Sequence, residues 1–418
     1  MKLKLLLTAA TTLFVALTTG AIMLEAGERS SKTRRVTVEA VVEVETKNAT
    51  PLTRDEAVES ALEWLISRQQ ENGGWGPGHV AAGKVERVTV GNTCIALQAL
   101  SKAGNSPTNG KYKTEVEQAV KLVVAEIEES DHDSLFISDV RGSQLQAKLG
   151  TYVDTFMAAS VLPEFRGKMG DEESDRKLDE AVEKVLSKIE ANQADDGSWK
   201  NAGWAPALAQ GIAAKSVNKA AQYNYAIDET VRVRAEKLSR DNFDRKTRRF
   251  SAAGSAGIEL YAGSSNLQAM QDSSNTNRRM VPGLKLQLTE ADDEETRILI
   301  EKKLLNIAQA ESDLRAARDA VVGRIADPKF VAGFGNNGGE EFLSYVNIGE
   351  SLKVEGGIPW REWNSRMIAN MTRSQAADGC WKGKHCITGG TFCTATGILV
   401  LLMDRETDKP PIDLTATD

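Results

Sequence analysis

Three segments share one pattern, Gln-x-x-x-Gly-x-Trp: Gln69–Trp75, Gln193–Trp199 and Gln375–Trp381. Each ends a stretch whose residues twelve, eleven, eight, seven and four places before the Gln lie on one helical face. Those residues are Ala57, Val58, Ala61, Leu62 and Leu65, then Ala181, Val182, Val185, Leu186 and Ile189, then Trp363, Asn364, Met367, Ile368 and Met371. Fourteen of the fifteen are apolar, so motif and helix recur as one unit and the chain is a helical repeat. Within the motif, Gly73, Gly197 and Gly379 supply a helix stop at positive φ. The Gln amide can tie the turn to a neighbouring helix end, and the Trp is a large apolar plug.

A chain of 418 residues, 41% of them hydrophobic, can bury one large core or two ordinary ones, and repeats favour one. The net charge of -7, with Lys and Arg spread along the chain, gives no reason to expect nucleic acid as a partner. Met1–Ala26 has the form of an export signal: two lysines, then no charge from Leu5 to Leu24. It is either cleaved near Thr19-Gly20-Ala21 or retained as a membrane anchor, and the protein is expected in the periplasm or outside the cell. Residues 27–52 read as a polar linker and 404–418 as a loose tail, with Asn48-Ala-Thr50 a formal glycosylation sequon.

Between these ends, 53–403, amphipathic helices alternate with helices that are apolar or small on most faces. The alternation predicts two layers with the apolar helices inside. From about Tyr223 to Asp327 the period breaks into charged and Ala/Gly-rich stretches. Ile300, Leu304, Ile307, Leu314, Val321 and Ile325 there follow heptad spacing. Residues 223–327 therefore read as a helical insertion, a hairpin projecting from the array with an intramolecular partner or a dimer seam.

If every hairpin runs the same way, the buried helices are parallel and their N-termini gather at one rim, where free N–H groups favour polar or anionic ligands. The residues at those starts are Thr93, Tyr152, Asp154, Thr155, Trp204, Glu340, Glu341, Tyr345, His385, Thr388 and Thr391. Asp154, Glu340, Glu341 and His385 are the acid/base candidates among them, and Thr93, Tyr152, Trp204, Tyr345 and Thr391 the ligand-binding ones. For Asp154, Glu340, Thr93 and Thr391 the preferred reading is helix caps and first-turn acids, ahead of a ligand site. Asp378, Cys380, His385, Cys386 and Cys393 form the densest polar cluster. Its readings are a Cys380–Cys386 disulfide with Cys94–Cys393 as a second pair, free thiols, or zinc held by Asp378, Cys380, His385 and Cys386. The spacing matches no common zinc finger. Asp131-His132-Asp133 reads as a solvated loop, or a cation or acid/base site. Neither a Ser/His/Asp elbow nor a phosphate loop occurs in the sequence, and no cofactor is expected.

In its three Gln-x-x-x-Gly-x-Trp copies the chain resembles the terpenoid cyclase and protein prenyltransferase superfamily with its squalene-cyclase-type repeat. The resemblance covers most of Arg54–Met403 outside the insertion. It implies an all-α fold, an α/α toroid of two helix rings around a cavity. The stretches GFGNNGGEEFLSY and HCITGGTFC are similar to secreted bacterial proteins of this type. The Asp-x-Asp-Asp acid of the cyclases has its nearest match in Glu290-Ala-Asp292-Asp293, inside the charged insertion. The prenyltransferase zinc motif resembles Asp378-Gly-Cys380, with Thr391 or Phe392 where a His is expected, and the thioester motif Gly-Cys-Gly-Glu-Gln is missing. With those motifs not intact, the function expected first is that of a binding or scaffold protein that holds a protein or lipid-like ligand at the cavity mouth or on the hairpin. The alternative is an enzyme acting on an isoprenoid or lipid-like substrate.

Overall fold

Short polar side chains set the helix starts. Thr53, Thr89, Asp171, Asp228 and Asp293 each stand before a helix and accept a hydrogen bond from a backbone N–H of its first turn. The computed structural model describes residues 52–406 except 201 and 336, so the export signal, the linker up to residue 51 and the tail from 407 lie outside the described residues. The helices are α1 (Arg54–Ile66), α2 (Val90–Lys102), α3 (Lys113–Glu129), α4 (Gln144–Lys148), α5 (Val153–Val161), α6 (Glu172–Ala191) and α7 (Pro206–Gln222). They continue as α8 (Glu229–Asp241), α9 (Glu259–Glu290), α10 (Glu294–Val322), α11 (Pro328–Ala332), α12 (Gly339–Glu355), α13 (Gly357–Ser374) and α14 (Gly390–Leu401). A two-stranded hairpin pairs β1 (Phe243–Asp244) with β2 (Arg249–Phe250). The protein is all-α. Among the described residues no helix is long and apolar enough to cross a membrane.

Six helices, α2, α5, α7, α9, α12 and α14, touch in that cyclic order, and α14 packs back on α2. The amphipathic helices lie against them: α1 on α14, α3 on α2, α6 on α5, α8 on α7 and α9, α10 on α9, and α13 on α12 and α14. The three repeat motifs do one job each time. Gln69 donates from Nε2 to the Gly73 carbonyl (2.7 Å) and to Glu115 O in the first turn of α3 (2.9 Å). Gln193 does so to Gly197 (3.2 Å) and Val231 of α8 (2.9 Å), and Gln375 to Gly379 (2.7 Å) and Ala57 of α1 (2.8 Å). Each Trp indole donates to the carbonyl ten residues back, Leu65, Ile189 or Met371. Gly197 has φ +85°, and a Cβ there would stand 2.2 Å from the Arg234 carbonyl, so only glycine fits.

The span 223–327 departs from the expected insertion. Leu260 to Asn277 of α9 is almost wholly buried and packs between α7 and α12, in the inner cycle, while α8 joins the outer layer. Only the far part of α9 and the start of α10 stand free, with Leu286, Ile298, Leu299 and Leu305 exposed near their junction. The heptad residues Leu314, Val321 and Ile325 are buried and α10 packs on α9, so that part of the seam is intramolecular.

Candidate functional site

The starts of the six inner helices are linked to one another around the cycle. Gly91 N of α2 donates to Asp154 Oδ1 of α5 (2.9 Å), Thr151 N before α5 to Ala202 O before α7 (2.9 Å), and Ala207 N of α7 to Gly254 O before α9 (2.8 Å). Tyr261 OH of α9 donates to Glu341 of α12, Gly339 N of α12 to Ile387 O before α14 (3.1 Å), and Thr391 N of α14 to Pro77 O before α2 (3.1 Å). Glu341 is saturated: besides Tyr261 it accepts from Phe334 N and Gly338 N, both at 2.9 Å.

Glu340 differs from its neighbour. It is fully buried, its Oε2 accepts from Ile387 N (3.2 Å), and its Oε1 has no partner. Burial pushes its carboxyl up to about 7. His385 is inserted between glycines. A Cβ on Gly335 would come within 2.9 Å of the imidazole and one on Gly338 within 2.6 Å, while Phe334 packs edge-on against the ring at 5.2 Å. Nε2 of His385 lies 3.3 Å from Glu341 Oε2 without hydrogen-bond alignment, and neither ring nitrogen has a hydrogen-bond partner. Cys386 follows in a left-handed backbone conformation, φ +53°. Glu340, His385 and Cys386 place one donor atom each within 4.8 Å of the others. Burial, then the charge of Glu340, raises the Cys386 thiol above its ordinary range. Trp204 meets Phe334 at 5.3 Å and Tyr261 at 6.0 Å, and Lys148 lies over its indole, so an aromatic wall and a cation flank the cluster.

Other residues expected at the rim have structural partners. Thr93 accepts from Trp75 N and donates to Thr89 O, tying the first repeat motif to α2. Tyr345 donates to Val331 O, and Thr155 to Leu135 O. Thr391 is buried with its hydroxyl unpartnered. Thr388 accepts from Gln144 Nε2 (3.1 Å) beside a recess of about 210 Å³ lined by Thr89, Asn92, Arg141 and Gln144. Tyr152 packs tilted against Phe136, ring centres 4.8 Å apart. Asp131 folds its own loop by accepting from Asp133 N and Ser134 N, as an ordinary solvated turn does.

All four cysteines are free, so neither expected disulfide is formed: Cys94, Cys380 and Cys393 are buried, and Cys386 turns toward Glu340. The zinc set of the prenyltransferase type does not fit either. Asp378 is exposed and accepts from Cys380 N, Cys380 is buried in the third repeat turn, and Thr391 and Phe392 bring no imidazole. Glu290, Asp292 and Asp293 lie exposed at the α9–α10 junction, far along the chain from any inner-helix start. Lys148, Tyr261, Phe334, Gln144 and Gln146 were not among the expected site residues. The glycine-dense run Gly333-Phe-Gly-Asn-Asn-Gly-Gly was the available signal, since close approach of a side chain to backbone requires glycine.

Asp154 carries a pH prediction. It accepts from Gly91 N and Gln146 Nε2 (2.7 Å), yet burial raises its carboxyl from 3.8 to about 6. With the folded value above the unfolded one, its contribution is retained below pH ~4 and lost as pH rises through ~6, a swing of about 3 kcal/mol. Asp154→Asn therefore gains about 3 kcal/mol relative to the parent between pH ~4 and ~7.5 in urea unfolding. A pH-independent difference would refute this.

No protein-family model, curated protein or solved structure matches the chain.

Proposed function

We propose that the chain is an exported α/α toroid of the terpenoid cyclase and protein prenyltransferase type. In this reading it is a binding or scaffold protein that holds a protein or lipid-like ligand at the rim where the inner helices start. The cyclic packing of six buried helices, the hydrogen-bonded chain of their starts and the three Gln-Gly-Trp turns support it. The observation that favours binding over cyclisation is the polar interior. Ser351 donates to Gln268 Oε1 (2.7 Å), Gln268 to Asp272 (2.9 Å), and Lys215 to Glu350 (2.7 Å). A carbocation route needs an apolar, aromatic-lined space, and these groups are polar. The rim recess of about 210 Å³ suits a small polar group or the end of a longer ligand.

One observation favours the enzymatic alternative: Glu340, with its carboxyl pushed up to about 7, has the protonation range of a general acid or base. The test is native mass spectrometry of protein purified from its source cells, followed by extraction of whatever it retains. A molecule retained by the parent and lost from Trp204→Ala and Phe334→Ala together supports rim binding. Retention of the same molecule by both variants would remove the rim from consideration, and its chemical conversion on incubation would favour the enzyme.

A further inference from the structure

Glu340, His385 and Cys386 supply an oxygen, a nitrogen and a sulfur donor from two segments 45 residues apart in sequence. A buried carboxylate oxygen without a partner and an imidazole with both nitrogens unsatisfied are each costly, and here they face one another. The rim carboxylates Glu341 and Asp154 are paired, Glu341 accepting three hydrogen bonds and Asp154 two. The surroundings also fix the donors. Gly335 and Gly338 leave the room that the imidazole occupies, and the Ile387 N–H orients Glu340.

We propose that Glu340, His385 and Cys386 form a zinc site with an open fourth position. A mixed thiolate, imidazole and carboxylate set suits Zn²⁺ and disfavours Mg²⁺ or Ca²⁺, which take oxygen ligands. Bound to zinc at roughly 2.0–2.3 Å in a tetrahedron, the three atoms would stand roughly 3.3–3.8 Å apart. The observed limit of 4.8 Å is closed by side-chain rotation of about 1 Å. Binding releases the Cys386 thiol proton to solvent, and the thiolate, carboxylate and neutral imidazole carry the ion. Phe334, edge-on to the ring at 5.2 Å, and the close approach of Gly335 and Gly338 hold the imidazole in place. Three protein ligands leave a place for water or for an anionic group, which Lys148 would attract. The site uses neither Asp378 nor Cys380, and it does not depend on which ligand the rim takes.

Full-length protein is loaded with Zn²⁺, dialysed and counted by plasma mass spectrometry, and a Co²⁺-loaded sample is read in absorption. One ion per chain is expected, with a sulfur-to-cobalt charge-transfer band. Cys386→Ser should abolish the band and weaken zinc binding about 100-fold, and Glu340→Gln should weaken it at least tenfold with the fold unchanged by circular dichroism. Asp378→Asn should bind as the parent does. Absence of a retained ion, or an ion that survives both Cys386→Ser and Glu340→Gln, would overturn the proposal. If Cys386→Ser does not fold, the Glu340→Gln titration and the parent's cobalt spectrum decide. Loss of zinc without loss of the rim-bound molecule separates this site from the ligand reading above.

Discussion

Trp381→Ala is expected to lower the unfolding free energy by about 3–5 kcal/mol, read as a shift in the denaturation midpoint. The indole is 2% exposed and donates to Met371 O (3.1 Å). It packs so closely on α14 that a Cβ at Gly397 would stand 2.8 Å from the ring. Its loss leaves a cavity where the last repeat meets the first, together with an unpaired carbonyl. A cost below about 1.5 kcal/mol would show that this turn relaxes freely and that the repeat motif is not a fixed joint.

The second large effect separates two adjacent acids. Glu341→Ala strips three donors of their acceptor, Tyr261 OH, Phe334 N and Gly338 N, and Tyr261 is itself fully buried. At about 1–3 kcal/mol for each orphaned buried donor, offset by any water that enters, a loss of about 3–5 kcal/mol is expected. Glu341→Gln keeps one carbonyl oxygen and should cost about half as much. Glu340→Ala orphans a single donor, Ile387 N, because its Oε1 bonds to nothing, and should cost about 1–2 kcal/mol. Equal losses at both positions in metal-free buffer would contradict the distinct roles assigned to them.

The repeat was legible because much of its chemistry is local: Gln69, Gly73 and Trp75 lie within seven residues. The bonds Gln69 Nε2 to Gly73 O and Trp75 Nε1 to Leu65 O stay in the turn or the helix before it, whereas the bond from Gln69 to Glu115 O is made only by folding. The misreading of α9 has a physical cause. Ser264, Asn266, Gln268, Gln271, Asp272 and Ser273 are buried, so this inner helix lacks the apolar run by which buried helices are recognised. Several of those groups are met by cross-bonds such as Asn218 Nδ2 to Ser273 Oγ (3.1 Å) and Arg318 to Gln271 (2.7 Å), which no periodicity reveals. At the rim, Glu340, Glu341 and His385 could be named from helix starts. That Glu341 would be satisfied and Glu340 left open depends on where Tyr261 and Phe334 lie, and those contacts are made only by folding.

Gln375 reaches Ala57 across 318 positions, and Arg54 pairs with Asp404 beside it. Helix α1 therefore packs on α13 and α14, the last two helices of the described residues. A growing chain must hold α1 and one flank of α2 uncovered until α14 arrives, and assembly is sensitive to any event that delays the final segment. The same adjacency means that the circle has no privileged seam. Joining Thr53 to Glu406 with a short linker and opening another surface turn should give a permuted protein with the same neighbours throughout.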